Sequence, residues 1–237
     1  MNGLKGVIRK TVSDDLQVDI WDETHMDKIV PSLLFNIQCQ DIIPEMSATD
    51  STSLNIASPG SMADECLREL ISRASFGHVP HVIKPILKHL DNHNLWDTRY
   101  PENFAVQLFK IIMYSIQNQH AYTVIQMLMN HLDEISRHCE STADRIRIRT
   151  GVVNVLSNIV AITAAGAIGP SVLEIINSLL NYLKASINNY QKLDQPEDEK
   201  HFQEAVINTL GEFANNFPDF QKIEIMIFIL SKAPPTS

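Results

Sequence analysis

The sequence predicts an all-α fold, an α-solenoid of about five helical hairpins, and three observations predict it. Apolar residues recur at helical spacing along nearly all of the chain. Strand-like alternation is scarce, and only 8 glycines punctuate 237 residues. The third observation is an internal echo. Ile86-Leu87-Lys88-His89-Leu90-Asp91 resembles Leu128-Met129-Asn130-His131-Leu132-Asp133, with the two His-Leu-Asp triplets 42 residues apart, and Leu180-Asn181-Tyr182-Leu183 repeats the pattern more weakly. A two-helix unit of about 40–47 residues is the period of armadillo and HEAT repeats. One helical hairpin cannot bury its apolar face alone, whereas stacked hairpins bury it between them.

The spacing predicts ten helices. The first covers about 1–12, with Leu4, Val7 and Ile8 on one face. The second covers about 25–38, with Met26, Ile29, Val30, Leu33 and Leu34 inward, and Thr24 followed by Asp27 as its N-cap signal. A Ser-, Thr- and Pro-rich linker at about 41–60 follows. The third helix is expected to start at Ser61, capped by the Ser61-x-x-Asp64 pattern, with Cys66, Leu67, Leu70 and Ile71 as its stripe. The fourth covers about 79–92, bent by Pro85 or holding it in its first turn.

The fifth covers about 101–116 and the sixth about 121–137. The seventh, from Ser141 or Thr142 to about Ala164, ends at the breakers Gly166, Gly169 and Pro170. The eighth covers about 171–188, before a charged linker at about 190–200. The ninth covers about 197–217, interrupted at Gly211, and the tenth about 219–231, stopped by Pro234 and Pro235. Neither the abrupt start at Met1 nor the crowded Ile225, Ile227, Phe228, Ile229 and Leu230 resembles a capping repeat. The expectation is one helical-repeat segment cut from a longer array.

Composition narrows the function. No apolar run reaches the roughly 18 residues of a membrane span; the stretch from Gly151 to Ile168 is broken by Asn154, Ser157, Asn158 and Thr163. Lys5, Arg9 and Lys10 interrupt any signal-peptide pattern. Cys39, Cys66 and Cys139 are sparse and unpaired in spacing, as expected for reduced thiols, with Cys66 and Cys139 read as small buried groups. A soluble, intracellular chain is expected. Its net charge of −9 disfavours nucleic acid and anionic lipid as partners.

No catalytic motif is present: no Gly-x-Ser-x-Gly, no phosphate-cradling glycine loop and no His-Glu-x-x-His. No catalytic, cofactor-binding or metal-binding residue is therefore expected, and no cofactor. His78 with His81, and His89 with His93, are the candidates for a metal, but a metal needs three or four converging ligands. His89 and His93 are expected to sit at a helix C-terminus, where their positive character suits the dipole. Arg145, Arg147 and Arg149, with Arg137 and His138 nearby, form the notable basic cluster. They read either as a phosphate site or, more in keeping with Asp133, Glu140 and Asp144 close by, as a solvated salt-bridged face. Lys5, Arg9 and Lys10 read the same way. Phe104, Phe109, Tyr114 and Tyr122 are expected in the core, Trp21 and Trp96 as loop anchors, and Asp194 to Glu199 as a solvated loop.

Longer local runs carry a resemblance. Gly6-Val7-Ile8-Arg9-Lys10-Thr11-Val12 and Met26-Asp27-Lys28-Ile29-Val30-Pro31-Ser32-Leu33-Leu34-Phe35-Asn36 resemble the rolling blackout family. The likeness continues at Ala74-Ser75-Phe76-Gly77, at His89-Leu90-Asp91-Asn92-His93, at Phe109-Lys110-Ile111-Ile112-Met113-Tyr114-Ser115-Ile116-Gln117 and at Gly169-Pro170-Ser171-Val172-Leu173-Glu174. The resemblance implies a rod of armadillo- and HEAT-like repeats that is not an enzyme. It implies a plasma-membrane scaffold, on the cytoplasmic face, for phosphatidylinositol 4-kinase type III alpha, reached through a tetratricopeptide-repeat adaptor, that supports phosphatidylinositol 4-phosphate synthesis. The family's acylated N-terminal cysteine cluster, its basic lipid-facing surface and its long C-terminal adaptor-binding region have no counterpart here. The chain is thus expected to match an internal part of the rod, and by itself to be cytosolic. Two other readings stand beside this one: a generic solenoid adaptor in membrane trafficking, and a lipid hydrolase using Ser115 or Ser171, for which nothing gathers a base and a pocket.

Overall fold

A computed structural model of the chain describes residues 2–12, 20–42, 58–97, 103–137, 143–163, 165–168, 172–190, 196–216 and 219–232. Among the described residues there are eleven α-helices, one 3₁₀ turn and no strand. The helices are α1 (Asn2–Val12), α2 (Glu23–Ile42), α3 (Pro59–Arg73), α4 (Val79–Asn92), α5 (Phe104–Ser115), α6 (Ala121–Arg137), α7 (Ala143–Ile162), α8 (Ala165–Ile168), α9 (Val172–Tyr190), α10 (Pro196–Asn216) and α11 (Asp219–Lys232), with the 3₁₀ turn at Asn118–His120. The all-α reading of the sequence holds, and α4 and α6 keep the bounds their apolar stripes predict.

The chain divides into two compact units: Met1–His93 with Tyr114–Val124, and Asn94–Met113 with Ile125–Ser237. In the first unit α2 packs on α3 and α4, and α1 on α3. The stripes read from the sequence meet there: Met26, Val30 and Leu34 of α2, Leu67 and Leu70 of α3, and Ile83 and Ile86 of α4 are all excluded from solvent. Each such side chain contributes about 1.5–3 kcal/mol through burial. Trp21 is buried and stacks on His78 at 5.1 Å, so it does anchor the entry to α2.

In the second unit α10 is the central element, packing on α7, α9 and α11. Val152, Val153 and Leu156 of α7 and Phe202, Val206 and Phe213 of α10 are buried. Buried polar groups are bridged across these packings: the Thr209 hydroxyl lies 2.8 Å from the Ala205 carbonyl and 3.2 Å from that of Val153, and Gln203 donates to the buried Ser186 hydroxyl of α9 at 3.0 Å. Gly151 of α7 sits against the backbone of Trp96: a Cβ there would lie 2.5 Å from the Trp96 carbonyl oxygen. Only a residue without a side chain allows that approach.

Several local expectations change. Asp22, not Thr24, caps α2: its Oδ1 accepts the His25 N–H at 2.9 Å, and this hydrogen bond is the main cause that lowers its carboxyl pKa. Ser58, not Ser61, caps α3, accepting the Ser61 N–H at 3.1 Å with Pro59 at the first helical position. Pro31 and Pro85 lie inside α2 and α4, beyond the first turn. The backbone bonds they remove are outweighed by buried neighbours, since Pro85 is itself in the core. Gly211 does not interrupt α10, and Gly166 falls within α8. The described ends of the two sequence linkers are helical: α2 runs to Ile42, α3 begins at Pro59, and α10 begins at Pro196. Residues 43–57 and 191–195 lie outside the described residues, as do Cys139, Pro234 and Pro235.

On α11, Phe220, Ile223, Met226, Ile227 and Leu230 are exposed. Their spacing of three to four residues makes a continuous apolar row along that helix.

Candidate functional site

The histidines do not converge. His78 stands at the N-cap position of α4, its ring taken up by Trp21. His89 is buried in α4, and its Nε2 lies 3.1 Å from Gln38 Oε1 of α2. Because that amide oxygen only accepts, Nε2 carries the proton. The His89 and His93 rings are 4.4 Å apart, and the edge of Phe35 meets both. Burial, then the neighbouring His93, pushes the His89 pKa down to about 4, so the ring is neutral at pH 7. His93 is the C-cap, its backbone N–H reaching the His89 carbonyl. The pair therefore ends α4 as expected, but His89 does so as a buried neutral ring and not through charge on the dipole. Among the described residues no group of three or more His, Cys, Asp or Glu is arranged to hold a metal ion.

The arginine cluster divides by helical phase. Arg147 is exposed and pairs with Asp144 at 3.6 Å, as a solvated face requires. Arg145 is half-buried. Arg149 departs from expectation: its side chain is largely covered by α10, with its guanidinium 4.0 Å above the Phe202 ring centroid and 3.8 Å from the Glu199 carboxylate. Glu199, read from sequence as part of a solvated loop, is fully buried in the first turn of α10. Neither of its carboxylate oxygens has a hydrogen-bond partner among the described residues. Its charge is balanced by Arg149 and by the positive end of the α10 dipole. Desolvation lowers the Arg149 pKa and Glu199 raises it in part. This is a charge pair at the α7–α10 packing, so the Arg149 guanidinium is taken up by Glu199 and Phe202 and not held out to solvent as a phosphate site would need. Lys5 of α1 pairs with Glu65 of α3. His138 and Glu140 lie outside the described residues.

Of the aromatic set, Phe104 and Phe109 are buried and Tyr122 half-buried, but Tyr114 is 70% exposed. Tyr114 lies two residues past Ile112, which turns it to the opposite side of α5. Trp96 is buried, stacked near Phe109 and His131 at 6.4 and 5.8 Å. Cys66 is buried and desolvation raises its thiol pKa, the behaviour of a packing group. Cys39 is exposed. Ser115 is the half-buried last residue of α5, and Ser171 lies outside the described residues. No helix of the described residues is long and apolar enough to cross a membrane.

Two clefts remain. A small one of about 130 Å³ lies in the first unit beside Phe35, His89 and His93. A larger one of about 430 Å³ lies in the second unit, lined from α7 by Arg147, Thr150 and Asn154 and from α10 by Asp198, Glu204 and Asn208. Sequence reading missed it, because its walls come from helices about fifty residues apart.

The family model described as EFR3, armadillo repeat, matches residues 1–237. The chain is similar to Protein EFR3 homolog cmp44E of Drosophila melanogaster, at 49% identity over all of this chain and 28% of the relative. It is similar to Protein EFR3 homolog B of Homo sapiens, at 46% identity over all of this chain and 30% of the relative. Against Protein EFR3 homolog A of Mus musculus the identity is 44%, over 99% of this chain and 29% of the relative. The chain thus spans less than a third of the length of these relatives. No solved structure matches it.

Proposed function

Because the chain belongs to the EFR3 armadillo-repeat family, we propose that it is a non-catalytic scaffold segment of a protein that recruits phosphatidylinositol 4-kinase to the cytoplasmic face of the plasma membrane. In this reading it supports phosphatidylinositol 4-phosphate synthesis by giving the scaffold a stiff helical body. The observation that carries it is the family match over the whole chain at 46–49% identity. The packing favours the same reading: the buried charged and polar side chains tie helix to helix, as Arg149 with Glu199 and Gln203 with Ser186 do. The kinase type III alpha complex is the partner, met through a tetratricopeptide-repeat adaptor. Contact with that adaptor and with the inner leaflet is assigned to no residue of this chain.

The test is replacement. In cells depleted of their own EFR3-family protein, a relative whose matching segment is exchanged for this chain should restore plasma-membrane phosphatidylinositol 4-phosphate, read with a lipid-binding fluorescent sensor. A chimera that is folded and abundant but leaves the lipid depleted would sink the reading.

A further inference from the structure

The cleft between α7 and α10 has the dimensions and charge of a peptide groove. Its lining follows one face of each helix: Arg147, Thr150 and Asn154 recur at three and four residues on α7, and Asp198, His201, Glu204 and Asn208 do so on α10. At about 1.5 Å per residue these rows are about 10–15 Å long. About three to four residues of extended chain span that length, at about 3.3–3.6 Å each. The volume of about 430 Å³ lies within the range of formed ligand clefts.

The charge of the lining is negative. Asp198 and Glu204 contribute two carboxylates on the α10 wall, and the single guanidinium of the lining, Arg147, is itself paired with Asp144 at 3.6 Å. Asp198 stands in the first turn of α10. Trp96, Ile146 and Ala205 supply apolar wall, and low-dielectric walls strengthen the field inside a cleft. Asn154 and Asn208 each offer an amide donor and acceptor, the pair of groups that a peptide backbone presents in return. The net charge of −9 reinforces attraction for a cation and repels polyphosphates and anionic lipid.

We propose that this groove docks a short extended cationic segment of a partner protein, with its Arg or Lys side chains paired to Asp198 and Glu204 and its backbone held by Asn154 and Asn208. The inference stands apart from kinase recruitment. It needs only the second unit and would survive the failure of the scaffold reading.

The experiment uses the full chain and a fluorescein-labelled Gly-Arg-Ala-Arg-Gly peptide, with a Gly-Gln-Ala-Gln-Gly peptide as its uncharged counterpart, in fluorescence anisotropy. The arginine peptide should bind, and more weakly at about 0.5 M than at about 0.05 M salt as screening shortens. The glutamine peptide should not. The double variant Asp198→Asn/Glu204→Gln, checked for an unchanged thermal transition, should weaken binding about tenfold, the combined effect of two partly exposed ion pairs. The control Glu134→Gln/Glu224→Gln removes the same charge from exposed positions outside the groove and should leave binding within about twofold, since distant exposed charges are screened. Absence of binding, equal binding of the glutamine peptide, or equal loss in the control variant overturns the proposal.

Discussion

Replacing Gly151 by alanine should destabilise the second unit, although the same change elsewhere in a helix is favourable. An alanine at an open helical position gains about 1 kcal/mol over glycine. At Gly151 the added Cβ would stand 2.5 Å from the carbonyl oxygen and 2.6 Å from the Cβ of Trp96. These are backbone and near-backbone atoms, held by a residue whose ring is buried against Phe109 and His131. They cannot rotate away, so the turn after α4 or α7 must shift, an overpacking that costs about 1–3 kcal/mol. Where the strain is at the upper end, the net loss is about 1–2 kcal/mol. In a chain of this size that lowers Tm by about 2–8 °C. Gly211 on α10 is the internal comparison, because a Cβ there meets nothing within 4 Å and the position is exposed. Gly211→Ala should therefore raise Tm by about 2–4 °C. Thermal unfolding of both variants beside the parent, followed by far-ultraviolet circular dichroism, reads the two signs in one experiment. A Gly151→Ala protein as stable as the parent or more so would refute the packing argument.

His89 makes stability depend on pH. A ring held neutral when folded, with a pKa of about 4 against 6.5 for the free side chain, binds fewer protons folded than unfolded between those values. Its contribution is present above pH 6.5 and is lost as pH falls toward about 4, amounting to roughly 3 kcal/mol; urea titrations at pH 7 and 5 should show much of the loss, and His89→Gln should flatten it. Arg149→Ala leaves the Glu199 carboxylate buried without a counter-charge and should cost about 3–5 kcal/mol, whereas Arg149→Met with Glu199→Leu should cost far less. If the single change proves as mild as the double, the pair is not the buried contact described. Ser58→Ala removes the α3 cap and should cost about 1 kcal/mol in the same denaturation assay, with Ser61→Ala having a smaller effect.

The helices were legible in the sequence because their apolar residues keep one phase over three or four turns. Val82, Ile83, Ile86 and Leu90 define α4 with no other information, and the burial of each follows. Cap residues were less legible, since Thr24 and Ser61 carry the same chemistry as Asp22 and Ser58 a few residues earlier. Tyr114 was readable and misread: its helical phase relative to Ile112 already places it outside. Arg149 and Glu199 were not readable. Each sits in a charged run that looks solvated, and only the packing of α7 on α10 brings them together and under cover. The Gly151 contact with Trp96 belongs to the same class, as does the α7–α10 groove. Local patterns record which face of a helix is buried, not which distant helix buries it.

The most direct test of the scaffold account follows the kinase itself. In cells lacking their own EFR3-family protein, fluorescently tagged phosphatidylinositol 4-kinase would be imaged with a relative carrying this chain in place of its matching segment. The same chimera with Ile112→Asp, which puts a charge at a fully buried position of α5, is the comparison. The account predicts kinase at the plasma membrane with the intact segment and loss of that recruitment with the core variant. Kinase that stays in the cytosol beside a folded, membrane-located chimera, or that is recruited equally by the Ile112→Asp form, would contradict it.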